Sequence, residues 1–413
     1  MGEYLFTEQN GRVIPTEDKI FGISRLAKEM EAKIGKESVI NATLGSLFDD
    51  SGKLVVLSSV VEVLKNLDAV DYADYAPIGG TPDFKKWIQK AAFGKNEPEC
   101  YTGVVATPGG TGAIRNTISN FSKPGDKILT SDWFWAPYGT IAQEIGRSVV
   151  TYALFDKDKK FNIASFGEKA KELIEAQGRL VVIINTPAHN PTGYSLSNDD
   201  WDKVISCIKD ISAGGKKVTI LVDAAYIDFA GDEEEYREFL PKLAKLPENI
   251  MPIVAFSLSK TYTLYGMRSG AMICMTQNKD IADEFVRVCE FSSRGTWSNC
   301  PRAAMVVLSR IYENSELLAR VDKERAGFRD MLIRRGKAFE EAAKKAGLEI
   351  VPFDAGFFAS IPCDSPDDIG KELQKDNIFL VPLAKGLRVT VAAISEEKCR
   401  AIPEKVLAVL NKK

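Results

Sequence analysis

Val218-Thr219-Ile220-Leu221-Val222-Asp223-Ala224-Ala225-Tyr226 begins as a β-branched apolar run and ends on an acid and a phenol. A run with so little polar alternation fits a strand buried on both faces, as in a mainly parallel sheet sandwiched by helices. The same kind of run recurs on either side: Val104-Val105, Lys127-Ile128-Leu129, Val149 to Leu154, Leu180 to Ile184, Ile253 to Phe256 and Ala271 to Met275. Amphipathic stretches separate them, so residues 100–275 read as an α/β domain. Beyond Pro301 the pattern changes. Leu317, Val321, Phe328, Leu332 and Phe339 step by four and seven, one apolar stripe of a long helix that bridges to a second domain. Two short strand candidates, Phe357 to Ile361 and Leu387 to Ala392, make the tail a small α+β unit. The expected division is a large domain over 53–325 and a smaller one built from 1–52 and 326–413.

Composition removes several classes of function. The chain has 413 residues, 45% apolar and 27% charged, enough to bury a large core. Lys plus Arg number 54 against 57 Asp plus Glu, and neither sign forms a long block that would track nucleic acid or an anionic bilayer. The acidic run Asp232 to Glu235 reads as a solvated loop. His189 is the single histidine, which removes multi-histidine zinc sites and leaves one place for a Ser-His-Asp or Cys-His device. No metal site is expected. Seven scattered cysteines, odd in number and never in a CxxC pair, read as reduced thiols of a cytoplasmic protein. Glu3 and Glu8 near the start lack a basic flank or an apolar h-region, and Phe6 stands where a myristoylation signal at Gly2 wants Ser or Thr. No apolar run approaches the roughly 18 residues of a membrane span.

Strands of a parallel sheet end at one carboxyl edge, where ligands bind. Asp223 and Tyr226 follow one strand there, and His189-Asn190-Pro191-Thr192-Gly193 follows another. A third, Ile253 to Phe256, runs into Ser257-Leu-Ser-Lys260-Thr-Tyr-Thr-Leu-Tyr-Gly-Met-Arg268. By itself a lysine in a polar loop is a surface charge. A lysine at a strand end, partly desolvated and beside another cation, has a depressed pKa and can form a Schiff base. Gly109-Gly110-Thr111-Gly112, between a strand and a helix, adds a place where backbone N–H groups face an anion. Read alone it is equally a tight turn without a ligand. A dinucleotide fingerprint would also use Asp132, twenty residues after Gly112, but wants Gly or Ala where Arg115 stands. No GxxxxGK[ST] run is present. Together the Asp, Tyr, Asn and Lys fit a pyridine ring bearing a phenolic oxygen and a phosphate.

With these motifs the chain resembles the fold type I pyridoxal phosphate aminotransferases, and within them the aspartate and aromatic amino acid group. The resemblance runs from Asn41-Ala-Thr-Leu-Gly45 through Tyr75-Ala-Pro-Ile-Gly-Gly-Thr-Pro82 and Thr107-Pro-Gly-Gly-Thr-Gly-Ala-Ile-Arg115 to Arg388-Val-Thr-Val. It implies that Lys260 is the lysine joined to pyridoxal 5'-phosphate and the group that moves the substrate's Cα proton. Asp223 would hold the ring nitrogen protonated, and Tyr226 and Asn190 would donate to the ring oxygen. Trp135 would stack on the ring and line the substrate site. Gly109, Gly110, Thr111, Ser257 and Arg268 would cradle the phosphate, joined by Tyr75 from a second subunit of a homodimer. Arg388 would grip the substrate α-carboxylate, with the Gly45 backbone beside it, and Arg294 would meet a distal carboxylate across the dimer interface.

Several residues depart from that group's pattern. Gly295, Thr296, Trp297 and Cys300 differ around Arg294, and Tyr138 and Asn185 stand where histidines usually back the ring-binding Asp. The resulting expectation is an amino acid and 2-oxo acid transaminase, aspartate with 2-oxoglutarate, with aromatic or broad specificity as the alternative. A non-catalytic cofactor-binding regulator would want an added basic helix-turn-helix segment, for which the first 40 residues are too few. A nicotinamide dehydrogenase is disfavoured by Arg115.

Overall fold

Each of the seven apolar runs forms a strand of one sheet. In the computed structural model, which describes residues 6–232 and 234–412, they are β1 (Tyr101–Thr107), β2 (Lys127–Ser131), β3 (Ser148–Tyr152), β4 (Arg179–Asn185), β5 (Lys217–Asp223), β6 (Ile250–Ser257) and β7 (Gly270–Thr276). Gly2, Glu3 and residue 233 of the acidic run lie outside the described residues. The sheet order is β1-β7-β6-β5-β4-β2-β3. Every pairing among β3, β2, β4, β5 and β6 is parallel, whereas β7 runs antiparallel to both β1 and β6. Residues 180–184 and 218–222 are buried throughout, as strands covered on both faces require.

Register brings the chemistry to one edge. Asn185 pairs with Asp223, Asp223 with Ala255, and Ser257 and Thr107 both with Gly270. The loops that leave β1, β4, β5 and β6 at their carboxyl ends, and the loop that enters β7, therefore meet at this edge. Gly270 is required by that convergence, because a Cβ there would lie 2.5 Å from the Phe256 carbonyl oxygen and 3.1 Å from the Gly109 carbonyl carbon.

The expected long helix is Ser315–Ala346, capped at its start by Asn314 and ended by Gly347 in the left-handed region at φ 75°. It links two bodies of core. Val321 packs with the large-sheet residues, while Phe339 and Ala343 pack with Ile40, Ala42, Ile361, Leu387 and Val406. Three strands accompany that second core: Val381–Leu383, Gly386–Thr390 and Phe358–Pro362, antiparallel in that order. A two-residue parallel pair, Ile40–Asn41 with Ile378–Phe379, ties the early segment to it. Among the described residues no helix is long and apolar enough to cross a membrane.

Candidate active site

Lys260 sits on the four-residue helix Leu258–Thr261, directly after β6. Ser257 caps that turn, its hydroxyl accepting from the Ser259 amide at 3.2 Å. The Lys260 Nζ donates to the Gly45 carbonyl and lies 4.5 Å above the centre of the Tyr265 ring. Burial, with the Arg388 and Arg268 guanidinium groups next in weight, pulls its pKa down to about 7. At neutral pH a large share of this amine is thus unprotonated and able to act as nucleophile or base.

Asp223 ends β5, buried, and Tyr138 donates its hydroxyl hydrogen to Oδ2 at 2.6 Å. The Ala225 amide donates to Oδ1 at 3.3 Å. Burial pushes the carboxyl pKa up, and those two donors act against that rise. Asn185, at the end of β4, donates from Nδ2 to the Asp223 carbonyl at 2.7 Å and accepts from the Asn190 amide at 2.7 Å. Asn190 is in turn hydrogen-bonded to Tyr226, whose own ionisation burial pushes above its usual range. The relay behind Asp223 thus runs through the Tyr138 phenol and the Asn185 amide.

Arg388, in the strand Gly386–Thr390, is 3% exposed. Its Nη2 donates to the Thr43 carbonyl at 2.6 Å, its Nη1 reaches Asn190 Oδ1 at 3.5 Å, and its guanidinium stacks 4.6 Å over the Phe358 ring. Its Nε is buried with no hydrogen-bond partner among the described residues, and no carboxylate there pairs with it. Burial lowers its pKa to about 10. A buried guanidinium without an acid costs several kcal/mol unless a ligand supplies the anion. The Thr43 carbonyl meets Arg388 and that of Gly45 meets Lys260, so the segment before Gly45 lies against both cations.

The glycine run opens the helix Gly109–Phe121, whose cap residue Pro108 makes no side-chain hydrogen bond, leaving first-turn N–H groups to an outside acceptor. Gly109 has φ 66°, and a Cβ on it would lie 3.0 Å from Arg268 Nη2. A Cβ on Gly110 would lie 3.8 Å from the Ser257 Cβ. Gly109, Gly110, Ser257 and Arg268 are thereby gathered at one helix N-terminus, a ready anion site with Thr111 in its first turn. Three cations (Lys260, Arg268 and Arg388) share the region, a charge arrangement that suits a phosphate and a carboxylate. Trp135 packs edge-on against Tyr138 with ring centroids 5.5 Å apart, which places it on the same side as Asp223.

Two expected residues are not gathered with the others. Tyr75 is 83% exposed. Arg294 is exposed in the last turn of the helix Lys279–Thr296, its Nη1 donating to Ser298 Oγ at 2.5 Å. His189 is buried within its own loop, with Nδ1 2.8 Å from Thr192 Oγ1 and a pKa that burial lowers to about 3. Asp132 accepts from the Leu154 amide at 3.0 Å and pairs with Lys385. Tyr265, Phe358 and Thr43 were not foreseen as site residues. Tyr265 lies inside the lysine motif and its hydroxyl accepts from the Leu47 amide at 3.1 Å, so spacing alone could have nominated it; Thr43 lies within the stretch Asn41 to Gly45 and Phe358 within the strand candidate Phe357 to Ile361, where neither side chain stands out.

Comparison with known proteins converges on one family. The model of aminotransferase class I and II matches residues 37–406. The aspartate aminotransferase of Salmonella typhi is 28% identical, the alignment covering 95% of this chain and 98% of that protein. The aromatic-amino-acid aminotransferase of Paracoccus denitrificans is 24% identical over 91% of this chain and 93% of its own length. Among solved structures, an aminotransferase from Anaerococcus prevotii superposes with a TM-score of 0.96 at 40% identity, covering 99% of this chain and all of that one.

Proposed function

The chain belongs to the class I and II aminotransferases, and from that premise we propose which residues carry the reaction and which amino acid it prefers. The enzyme moves an amino group between an amino acid and a 2-oxo acid, with pyridoxal phosphate as cofactor. When bound, that cofactor supplies an electron-withdrawing ring that stabilises negative charge at the substrate Cα. Asp223 is assigned to the ring nitrogen, Tyr226 and Asn190 to the ring oxygen, and Trp135 to the ring face. The phosphate falls to Gly109, Gly110, Thr111, Ser257 and Arg268. Lys260 Nζ would hold the cofactor and, once the incoming substrate amine displaces it, would carry the proton removed from the substrate Cα across to the cofactor. Arg388 orients the substrate through its α-carboxylate in a bidentate fork, with Gly45 and Asn190 beside it. The observation that carries this reading is Arg388, buried and without an acidic partner, next to a lysine whose pKa is pulled down to about 7.

Aspartate is proposed as donor and 2-oxoglutarate as acceptor, on the strength of Arg294. Exposed on its own chain, this guanidinium is available to a neighbouring subunit, as is the Tyr75 ring. We therefore assign the active unit as a homodimer with shared sites. An aromatic or broad specificity is the second reading, favoured by Trp297 and by the small Gly295 and Thr296 beside an arginine that, among the described residues, is held by Ser298 alone. A cytoplasmic location is proposed on the scattered cysteines. The division into 53–325 and 1–52 with 326–413 is proposed on the packing of Ile40 and Ala42 with Phe339, Ala343, Ile361, Leu387 and Val406 in a core of their own.

Replacing Arg294 by Ala tests both specificity and sharing. A charged hydrogen bond is worth roughly 1.5 to 3 kcal/mol, so aspartate kcat/KM should fall on the order of 10- to 100-fold, with alanine turnover almost unchanged. Mixing that chain with a Lys260→Ala chain should restore aspartate turnover, because one site of each hybrid dimer is intact. Equal losses for aspartate and alanine would assign Arg294 to the fold. No recovery despite demonstrated subunit exchange would exclude a shared site.

A further inference from the structure

We propose that Asp228 is a positioning residue for the reaction, its carboxylate fixing, through the Thr261 hydroxyl, the turn that presents Lys260; this rests on the assignment of Lys260 to the cofactor. Lys260 stands on a helix of only four residues, Leu258–Thr261. A single turn fixes several dihedrals for very few hydrogen bonds and does not hold its shape alone. The amine is therefore placed only as well as the surroundings grip that turn. At its start the Leu258 amide donates to the Ser269 carbonyl at 3.0 Å. At its end the buried Thr261 donates from Oγ1 to Asp228 Oδ2 at 2.6 Å.

Asp228 is itself anchored away from the site. It lies buried in the short turn Ile227–Phe229, directly after Tyr226, and its Oδ1 accepts from Arg237 Nη2 at 2.6 Å. Arg237, equally buried, also donates from Nε to the Ala92 carbonyl at 3.0 Å and from Nη2 to the Ala91 carbonyl at 3.2 Å, near the end of the helix Pro82–Phe93. A continuous chain thus runs from a helix end through a guanidinium and a carboxylate to the residue after Lys260. Burial would raise the Asp228 pKa, but the Arg325 and Arg237 charges, with the hydrogen bonds from Thr261 and Arg237, bring it below its usual value. The acid is therefore ionised at neutral pH and accepts on both oxygens. Two residues from Tyr226 and bonded to the neighbour of Lys260, it also sets those two segments against each other.

Removing the acid would strip a buried guanidinium of its countercharge and threaten the fold, so the hydroxyl is the group to change. Thr261→Val keeps the shape of the side chain and removes that donor, while Thr261→Ser keeps the donor. Displacing a reacting group by about 1 Å costs up to roughly 100-fold in rate, so the single-turnover rate constant of the folded valine holoenzyme should fall on the order of 10- to 100-fold. The substrate is aspartate or tyrosine, whichever the unaltered enzyme turns over faster, and its KM should hold. The serine enzyme should recover most of the rate. Thr261→Ala, which also lacks the hydroxyl, makes the same comparison should the valine chain fail to fold. A role in stability alone would lower the thermal midpoint and leave the rate of the folded holoenzyme near normal. That result, or equal losses in the serine and valine enzymes, would overturn the proposal. Borohydride-fixed cofactor on a lysine other than Lys260 would instead overturn the assignment on which it rests.

Discussion

Turnover of the Lys260→Ala enzyme should fall by at least about 10²- to 10⁴-fold, the range for removal of a positioned general base. Among the described residues the amine is the only lysine nitrogen placed between Gly45 and the Tyr265 ring, and burial beside two guanidinium groups keeps much of it unprotonated at neutral pH. Its pKa is lowered, so the working base is present above about pH 7 and lost as pH falls through that value. Alanine supplies no substitute at any pH. Cofactor binding should survive, because the Gly109 helix terminus, Arg268 and Asp223 do not depend on the lysine. The decisive comparison is single-turnover rate against equilibrium cofactor binding. A variant that fails at both would mean that Lys260 is a structural support.

Asp223→Ala should lower the half-reaction rate by roughly 10²- to 10³-fold, the usual cost of removing one preorganised electrostatic partner. Asp223 lies at a strand end and not among the packed apolar side chains, so its loss removes charge more than core. Tyr138 and Ala225 would lose their acceptor, which adds a modest stability cost of about 1 to 3 kcal/mol. Stopped-flow measurement with saturating cofactor separates the two effects. Near-normal rates with cofactor bound would remove Asp223 from the ring nitrogen.

Much of this arrangement was legible in the amino-acid sequence because its parts are local. Continuous apolar runs such as Leu180 to Ile184 have no competing interpretation once an acid, an amide or a lysine follows at the strand end. The direction of β7 was not legible, since Ala271 to Met275 reads alike either way; it is set by the short return from Ser257 to Gly270. The Ile40–Asn41 and Ile378–Phe379 pair and the strand Val381–Leu383 are too short to show a period.

In the site, motif residues could be named before their contacts were known. Thr43 lies inside the stretch Asn41 to Gly45, but it serves Arg388 through a backbone carbonyl that its side chain does not advertise. Phe358 contributes a ring face to Arg388 from a strand that reads only as core. Tyr138 was visible as a departure at its position, but its role needed the 2.6 Å contact with Asp223. Tyr75 and Arg294 are exposed on their own chain, so their proposed contacts are not made within it.

Lys260 is the residue we propose to carry the cofactor at the carboxyl edge of the sheet. Reduction of the yellow holoenzyme with borohydride, digestion and peptide mass spectrometry tests it most directly. The pyridoxyl phosphate mass should be found on the peptide containing Ser257 to Arg268, at Lys260. Stoichiometric label on any other lysine, with Lys260 unmodified, would place the cofactor on that lysine and remove Lys260 from the reaction.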